Sequence, residues 1–310
     1  MSHVLVVGSV AFDTIESPYG KKEKVLGGSA NYFALSSSFF APVRMVAVVG
    51  EDFPQDHLEV LRKRGVDTEG IQTVEGKTFH WSGYYGEDMN QAHTRATELN
   101  VFENFSPELP ESYKKTPTVL LANIDPVLQL KVLEQIESPR LVACDTMNFW
   151  INGKRDDLMK VLEKVDLFLA NEQELRDLSG HRSLLGGVDW VRQHGPSIVA
   201  VKCGEYGAML CTENFVFYAP SYMHHVVKDP TGAGDSFAGG LLGYLAQVDE
   251  INERELRRGA IAGTMMASFN VQEFSCERLL SLTPQEVHAR FEKYQRITAY
   301  DHAPLPLRDF

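Results

Sequence analysis

A glycine-rich segment in the last third of the chain carries an aspartate at its end. Residues 229–240 read DPTGAGDSFAGG, and the apolar LLGYLAQV that follows has the pattern of a helix. The proline and the small residues predict a tight turn whose backbone N–H groups, unpaired at a helix start, point together at one anion. Asp235 falls in the first helical turn, where its carboxylate could accept a proton from a hydroxyl beside the same anion. A base next to a phosphate cradle is what phosphoryl transfer to an alcohol requires.

The spacing alone is equally compatible with a structural role, in which Asp235 caps the helix and the glycines only make the turn. Two other nucleotide-binding loops are excluded by the sequence. There is no GxxxxGK(S/T) segment, and the first apolar run ends at Gly8 without a GxGxxG pattern.

Residues 229–240 resemble the C-terminal signature of the ribokinase-like, or PfkB, carbohydrate kinase family. Other features of that family follow in the expected order from Val4 to about Phe274. The resemblance implies that Asp235 is the catalytic base and that the preceding turn, Gly232, Ala233 and Gly234, forms the anion hole. It also implies ATP and Mg²⁺ as the phosphoryl donor and its metal ion.

The family's substrate-binding aspartate follows the first strand, in a segment that reads GSVAFD here and ends at Asp13. A carboxylate suits this role because it accepts two hydroxyl hydrogen bonds. Without the family context, a solvated residue at the end of a strand is the alternative. The resemblance implies that Asp13 binds hydroxyls of a sugar.

Residues 27–34, GGSANYFA, are similar to the family's G-G-x-x-x-N-x-A signature, in which Gly27 and Gly28 would let the backbone approach the substrate. Tyr32 stands at the usual asparagine position. Asn31 comes one residue earlier, which rotates it by roughly 100° around a helix. We expect both to bind substrate, and Tyr32 could stack on a ring that a simple sugar lacks.

Residues 171–174, NEQE, resemble the family's N-x-x-E motif, in which Glu174 would hold Mg²⁺ through water and Asn171 would lie near the phosphates. The same spacing predicts a helix N-cap with a capping box, which is compatible with that role. Lys202 and Gly204 resemble the strand and turn that the family places along the nucleotide. Asn148, after another strand, is predicted to lie at the carboxyl edge of the sheet, near the phosphates.

Three further residues depend on the resemblance. Asn270 lies in a stretch that the family places beside the adenine, although a core helix is an equally good interpretation. Asp229 and Thr231 match positions that contribute to a monovalent-cation site in some relatives. K⁺ is therefore a second candidate ion.

The elements that must position these residues are visible as short, continuous apolar runs between helical segments. Such runs are typical of strands buried on both faces of a parallel sheet, and their alternation with helices predicts a doubly wound α/β fold. The predicted strands are residues 4–7, 43–49, 119–121, 141–144, 167–170 and 198–202. The predicted helices are residues 30–40, 56–64, 127–136, 155–164 and 172–178.

Two stretches break this rhythm, at about 14–26 and 72–100, and read as short strands and turns. We predict one α/β domain over residues 1–310, with a small β-sheet lid formed by the two stretches. The aromatic residues Phe79, Trp81, Tyr84 and Tyr85 would cover a ligand or form an interface between lid and body, or between two lids. Because lids pair in several relatives, we expect a homodimer.

Composition excludes several classes of function. The formal net charge is −12, and the chain has no long basic run, which argues against a nucleic-acid partner. No run of about 18 apolar residues and no basic leader occur, so we expect a cytoplasmic protein without a membrane span. The four scattered cysteines, without metal-type spacing, are expected to be reduced core thiols.

The leading interpretation is therefore an ATP-dependent kinase that phosphorylates a hydroxyl of a sugar or sugar derivative. A nucleoside kinase is the alternative within enzymes, since the same family includes such enzymes and Tyr32 would suit a base. A catalytically silent protein that binds a sugar or nucleotide is less favoured, because Asp235 and its full turn are intact.

Overall fold

The protein, in a computed structural model that describes residues 2–299, is built from alternating strands and helices. The strands of the described chain are β1 (Val4–Val7), β2 (Ala11–Ser17), β3 (Gly20–Gly27), β4 (Val43–Gly50), β5 (Val66–Val74), β6 (Phe79–Tyr85), β7 (Ala92–Glu98), β8 (Thr118–Leu121), β9 (Leu141–Asp145), β10 (Leu167–Asn171), β11 (Ile198–Lys202), β12 (Gly207–Cys211) and β13 (Val216–Pro220). The α-helices of the same residues are α1 (Ser29–Ser37), α2 (Gln55–Lys63), α3 (Pro126–Leu133), α4 (Asn148–Gly153), α5 (Arg155–Leu162), α6 (Glu172–Ser179), α7 (Leu184–Arg192), α8 (Ala233–Leu245), α9 (Glu253–Asn270), α10 (Glu277–Ser281) and α11 (Pro284–Thr298).

Nine strands form the large sheet, in the order β13-β12-β11-β10-β9-β8-β1-β4-β5. The pairs from β11 through β5 are parallel, while β12 and β13 join antiparallel at one edge. The prediction of a mostly parallel, doubly wound sheet is confirmed. The edge strands β5 and β13 were not predicted, because they are partly exposed and lack the continuous apolar character of the central strands. Strand β12, which is short and apolar, was also missed.

A second sheet of four strands, in the order β3-β2-β6-β7, stands outside this core. It contains the two stretches that the sequence set apart, but with different bounds. The first stretch forms strand from Ala11, three residues earlier than expected. Residues 72–74 belong instead to β5, because they pair with residues 48–50 of β4 and extend the large sheet.

Both faces of the large sheet are covered by helices. Along β1, Val4 and Val6 pack on the face shared with α8, while Leu5 and Val7 pack on the face shared with α5. This alternation is what the two-residue period of a strand requires. All four cysteines are buried and unpaired, as expected of core thiols, and no helix within residues 2–299 is long and apolar enough to cross a membrane.

Helices α1 and α8 lie in close contact through small residues. A Cβ added at Gly239 would lie 2.5 Å from the carbonyl oxygen of Phe33, and one at Gly243 would lie 2.8 Å from Ser37 Oγ. Across the same contact Ser36 Oγ donates a hydrogen bond to the carbonyl of Ser236 at 2.6 Å. The second half of α1 and the first half of α8 are therefore held at a fixed separation.

Candidate active site

The start of α8 has the geometry expected of an anion-binding turn. Gly232 is the N-cap residue and adopts a left-handed conformation, with φ 74° and ψ 4°. Ala233 donates its N–H to the carbonyl of Pro230 at 3.0 Å, but within residues 2–299 the N–H groups of Gly234 and Asp235 have no backbone acceptor. Two donors at the positive end of a 13-residue helix thus remain available to an anion beside the Asp235 carboxyl.

Tyr32 lies directly under this turn. A Cβ added at Gly232 would lie 2.2 Å from Tyr32 Cγ, so the ring supports the turn and only glycine fits above it. The ring is 1% exposed, and its hydroxyl donates to Asp13 Oδ2 at 3.4 Å. The prediction that Tyr32 stacks on a ligand ring is wrong for this arrangement, because Gly232 and the core leave no face of the ring open.

Asp13 is buried between Tyr32 and the paired glycines. It is 4% exposed, and a Cβ at Gly27 would lie 2.1 Å from Asp13 Cγ, which explains the glycine there. Gly28, with φ 91°, passes close to the carbonyl of Ser9. Burial raises the pKa of Asp13 to about 7, with a smaller rise from the charge of Asp229, while the Tyr32 hydrogen bond opposes it.

Asn31 supports the backbone of this segment. Its Nδ2 donates to the carbonyl of Gly27 at 2.6 Å, while its Oδ1 is buried without a hydrogen-bond partner among the described residues. Being one residue away from the usual asparagine position, Asn31 thus fixes one of the two glycines that border Asp13. Substrate contact by Asn31 stays a prediction.

A buried ion pair that the sequence did not reveal lies on the other side of the turn. Lys202 Nζ binds both carboxylate oxygens of Asp145, at 2.9 and 2.8 Å. A Cβ at Gly234 would lie 3.2 Å from the same Nζ, so the ammonium is adjacent to the turn. Asp145 and Lys202 are 57 residues apart, and only their positions at the carboxyl ends of β9 and β11 could have suggested the contact.

Charges around this pair influence one another. Burial alone would lower the pKa of Lys202, but the carboxylates of Asp145 and Glu174 raise it above its ordinary value. Burial raises the pKa of Asp235 to about 7, the charge of Asp145 adds to the rise, and Lys202 opposes it. A pKa near neutrality is one that a general base can use.

Asn171 and Glu174 form the predicted capping box at the start of α6. Glu174 N–H donates to Asn171 Oδ1 at 2.8 Å, and Asn171 N–H donates to Glu174 Oε2 at 2.7 Å. Burial raises the pKa of Glu174 to about 7, with a smaller rise from Asp145 and an opposing effect of Lys202. Glu174 Oε1 takes no part in the box, so a hard oxygen donor remains that fits Mg²⁺, directly or through water.

Gly204 and Asn148 lie at the same edge of the sheet and are exposed. Gly204 follows β11 with φ 55°, and a Cβ there would lie 2.6 Å from Oδ1 of Asn90 in the loop between β6 and β7. Asn148 is the first residue of α4, directly after β9. Both positions are open to a ligand, and their nucleotide contacts stay predictions.

The residues assigned to a monovalent cation are bonded to the protein itself. Asp229 is 0% exposed, its Oδ1 accepts the N–H of Thr231 at 2.9 Å, and its Oδ2 accepts the N–H of Ser275 at 2.7 Å. The carbonyl of Thr231 accepts a hydrogen bond from Asn270 Nδ2 at 2.7 Å. Each of these oxygens accepts one hydrogen bond and keeps a second lone pair, so the residues present fit a monovalent cation such as K⁺, and that site stays a prediction.

Asn270 is likewise enclosed. It is 0% exposed at the end of α9, and its amide points at the loop before α8. Its burial agrees with the interpretation of this segment as a core helix, and its hydrogen bond also holds the carbonyl of Thr231 in place.

Comparison with known proteins agrees with this fold. The sequence model of the pfkB family of carbohydrate kinases matches residues 1–282. The chain is 30% identical over 250 residues to a cytidine kinase of Thermococcus kodakarensis, covering 79% of this chain and 89% of that protein. In structure it is similar to the Methanocaldococcus jannaschii nucleoside kinase (TM-score 0.77, 22% identity, 94% and 99% coverage). It is also similar to a putative ribokinase II of E. coli solved with ATP and Mg²⁺ (TM-score 0.79, 20% identity, 94% and 100% coverage).

The chain belongs to the PfkB family of carbohydrate kinases. It is accordingly a phosphotransferase that acts on an alcohol group, as the resemblance in residues 229–240 implied.

Proposed function

We propose that the protein transfers the γ-phosphate of ATP to a hydroxyl of a nucleoside, with Asp235 as the base. The observation that carries this proposal is the placement of the Asp235 carboxyl beside the unpaired N–H groups at the start of α8. A base and a cradle for the transferred group are thus supplied by one turn, between Tyr32 on one side and Lys202 on the other.

In the proposed reaction Asp235 takes the proton of the acceptor hydroxyl as that oxygen attacks the γ-phosphorus. The bond from phosphorus to the bridging oxygen breaks, and ADP leaves with the electron pair. The N–H groups of Gly234 and Asp235 donate hydrogen bonds to the equatorial oxygens of the transferred phosphoryl group. They stabilise the negative charge that these oxygens carry in the transition state, where preorganised donors act most strongly. Lys202, held by Asp145, adds a fixed positive charge next to these donors.

Mg²⁺ would be held by Glu174, through water, where it would neutralise phosphate charge as it does in other phosphoryl transfers. Asn171 keeps the Glu174 side chain in place through the capping box. Lys202, Gly204 and Asn148 would line the nucleotide from the ends of β9 and β11. K⁺ would be held by the carboxylate of Asp229 and the carbonyl of Thr231, whose oxygens each accept one hydrogen bond and keep a second lone pair.

Asp13 would bind two neighbouring hydroxyls of the acceptor. Ribose, free or within a nucleoside, offers such a pair, and a carboxylate can accept from both. The similarity to a cytidine kinase over most of the chain supports the nucleoside. A sugar or sugar derivative is the second candidate, because the buried ring of Tyr32 offers no stacking surface for a base.

The test is ADP formation with wild type and Asp235→Asn, using cytidine, the other ribonucleosides, 2′-deoxycytidine, ribose, fructose and sugar acids as acceptors. We expect turnover with a ribonucleoside, weaker turnover with its 2′-deoxy analogue, and a loss of about 10²–10⁴-fold in kcat in the variant, the usual contribution of a general base. Replacing K⁺ by tetramethylammonium should lower the rate, because the methyl groups of that ion keep oxygen ligands away from its charge.

Asp156→Asn, an exposed aspartate in α5, is the matched control and should keep wild-type activity. Turnover with sugars alone would replace the nucleoside by the second candidate. ADP formation that is equal in wild type and Asp235→Asn would refute the role of Asp235.

A further inference from the structure

Thr231, the residue before the anion-binding turn, has every polar group engaged, and each partner comes from a different part of the chain. Its N–H donates to Asp229 Oδ1 at 2.9 Å, and its carbonyl accepts from Asn270 Nδ2 at 2.7 Å. Its Oγ1 is hydrogen-bonded to Tyr85 Oη at 3.2 Å. Asp229 and Asn270 belong to the body, but Tyr85 is the last residue of β6 in the small sheet.

Tyr85 is rigidly placed for this contact. It is 8% exposed, and its ring packs in a cluster with Ile15 of β2 and with Phe274 after α9. The cluster therefore joins the small sheet to the body at the level of Thr231. A ring fixed on both sides gives its hydroxyl one direction, which is the requirement for a side chain that positions another group.

The same loop is attached to the small sheet at a second point. Ser17 Oγ, at the end of β2, donates to the carbonyl of Lys228 at 2.7 Å. The loop of residues 228–231 is thus hydrogen-bonded to the small sheet at both ends, to β2 through Lys228 and to β6 through Thr231. By contrast, the contact of Asn90 with Glu205 is exposed and longer, with both hydrogen bonds at 3.3 Å.

We propose that Tyr85 is a positioning residue for phosphoryl transfer, and that its hydroxyl, through Thr231, sets the N–H groups of Gly234 and Asp235 only while the small sheet lies against the body. The inference rests on the proposed function of that turn. Oxyanion donors act within narrow limits of distance, and a displacement of about 1 Å can cost on the order of 100-fold in rate. When the small sheet covers the acceptor, it would thereby also bring these N–H groups into position for the phosphoryl group that is transferred.

Tyr85→Phe removes the hydroxyl and keeps the packed ring. We expect kcat to fall about 10-fold with the KM for ATP within about twofold, the pattern of an interaction that acts in the transition state. Amide hydrogen exchange of residues 228–236 should become faster in the same variant without any ligand. Tyr19→Phe is the matched control, because Tyr19 lies in the turn between β2 and β3 of the same sheet and is 51% exposed.

Thr231 supplies a second, independent route to the same contact. Thr231→Val should reproduce the loss of kcat, Thr231→Ser should restore it, and the double variant Tyr85→Phe, Thr231→Val should be no worse than either single one. Unchanged kcat and unchanged exchange in Tyr85→Phe, or equal losses in Tyr19→Phe, would overturn the proposal. The exchange comparison needs no acceptor, so it decides the role of Tyr85 even if no acceptor is turned over and the proposed function fails.

Discussion

Asp13 and Asp235 are aspartates in surroundings that disfavour their charge. Burial is the main cause in both, and it raises the pKa of each to about 7. The two sites differ in their neighbours. Asp235 has Lys202 beside it, which favours the carboxylate, whereas Asp13 has the hydroxyl of Tyr32 and the further negative charge of Asp229. Catalysis that needs both carboxylates should therefore rise with pH through neutrality.

The raised pKa of Asp13 has a consequence for stability. Because the folded-state pKa, about 7, lies above the ordinary 3.8, the folded protein binds this proton more tightly than the unfolded chain. The contribution of this proton to the free energy of unfolding is complete below about pH 4 and is lost as pH rises through 7. Asp13→Asn should therefore raise Tm relative to wild type at pH 8, by about 2–4 °C for each kcal/mol relieved, and much less at pH 5.

Thermal unfolding of both proteins at pH 5 and pH 8 measures this difference. Asp156→Asn, which removes an exposed carboxylate, should show no such dependence on pH. A Tm for Asp13→Asn that is lower than that of wild type at pH 8, or a gain of the same size at both pH values, would mean that the buried charge of Asp13 does not destabilise the folded protein.

At the scale of elements, the turn between Thr231 and α8 depends on the single glycine that starts the helix. Gly232→Ala would place a Cβ 2.2 Å from Tyr32 Cγ in a left-handed backbone, φ 74°. The turn or the ring must shift, and we expect kcat to fall on the order of 100-fold, since positioning errors of about 1 Å have that effect. The measurement is kcat with the best acceptor, together with Tm.

Gly180→Ala is the control for backbone strain alone. Gly180 ends α6 with φ 72°, but a Cβ there would meet nothing within 4 Å. This variant should lose about 1 kcal/mol of stability and retain wild-type kcat. Equal losses of kcat in the two variants would show that the contact with Tyr32 is unimportant.

The elements that the sequence predicts well are those with a simple pattern. Central strands such as β1 and β11 are buried on both faces, and their continuous apolar runs define them almost to the residue. Strand β5 alternates and is partly exposed, so its end was mistaken for the small sheet. Spacing also located Asp235 at the start of its helix.

The parts of the site that the sequence did not predict are contacts between distant segments. The pair of Asp145 with Lys202 and that of Tyr85 with Thr231 each join residues more than 50 positions apart. Local patterns hold no information on such contacts, because they arise only when the strands align in the sheet. Tyr32 illustrates the same limit, since its type suggested stacking and only the position of Gly232 revealed its burial.

At the scale of the whole molecule, strand β7 forms an edge of the small sheet that is exposed along its whole length. Strand β7 pairs only with β6 in the described chain, and all seven of its residues are exposed. Such an edge presents unpaired N–H and C=O groups that a second copy could use. We therefore propose a homodimer through this edge.

Light scattering after size exclusion should give about twice the chain mass of 34.7 kDa. Ala96→Lys, in the exposed strand, should shift the mass toward the monomer, because edge lysines oppose strand pairing. Lys160→Ala, an exposed change far along the chain in α5, should leave the mass unchanged. A monomer in wild type at micromolar concentration would rule out this assembly.

The small residues between α1 and α8 limit which parts of the acceptor pocket can tolerate substitutions. Gly239, Gly243 and Ser36 leave no room for larger side chains between the helices, so the body side of the acceptor pocket tolerates little change. The small sheet, formed by two insertions into the α/β core, is constrained in this way mainly where it meets the site, at Asp13, Gly27 and Tyr85. Directed evolution toward a new acceptor should therefore accumulate its substitutions in the other residues of β2, β3, β6 and β7, while α1 and α8 remain as they are.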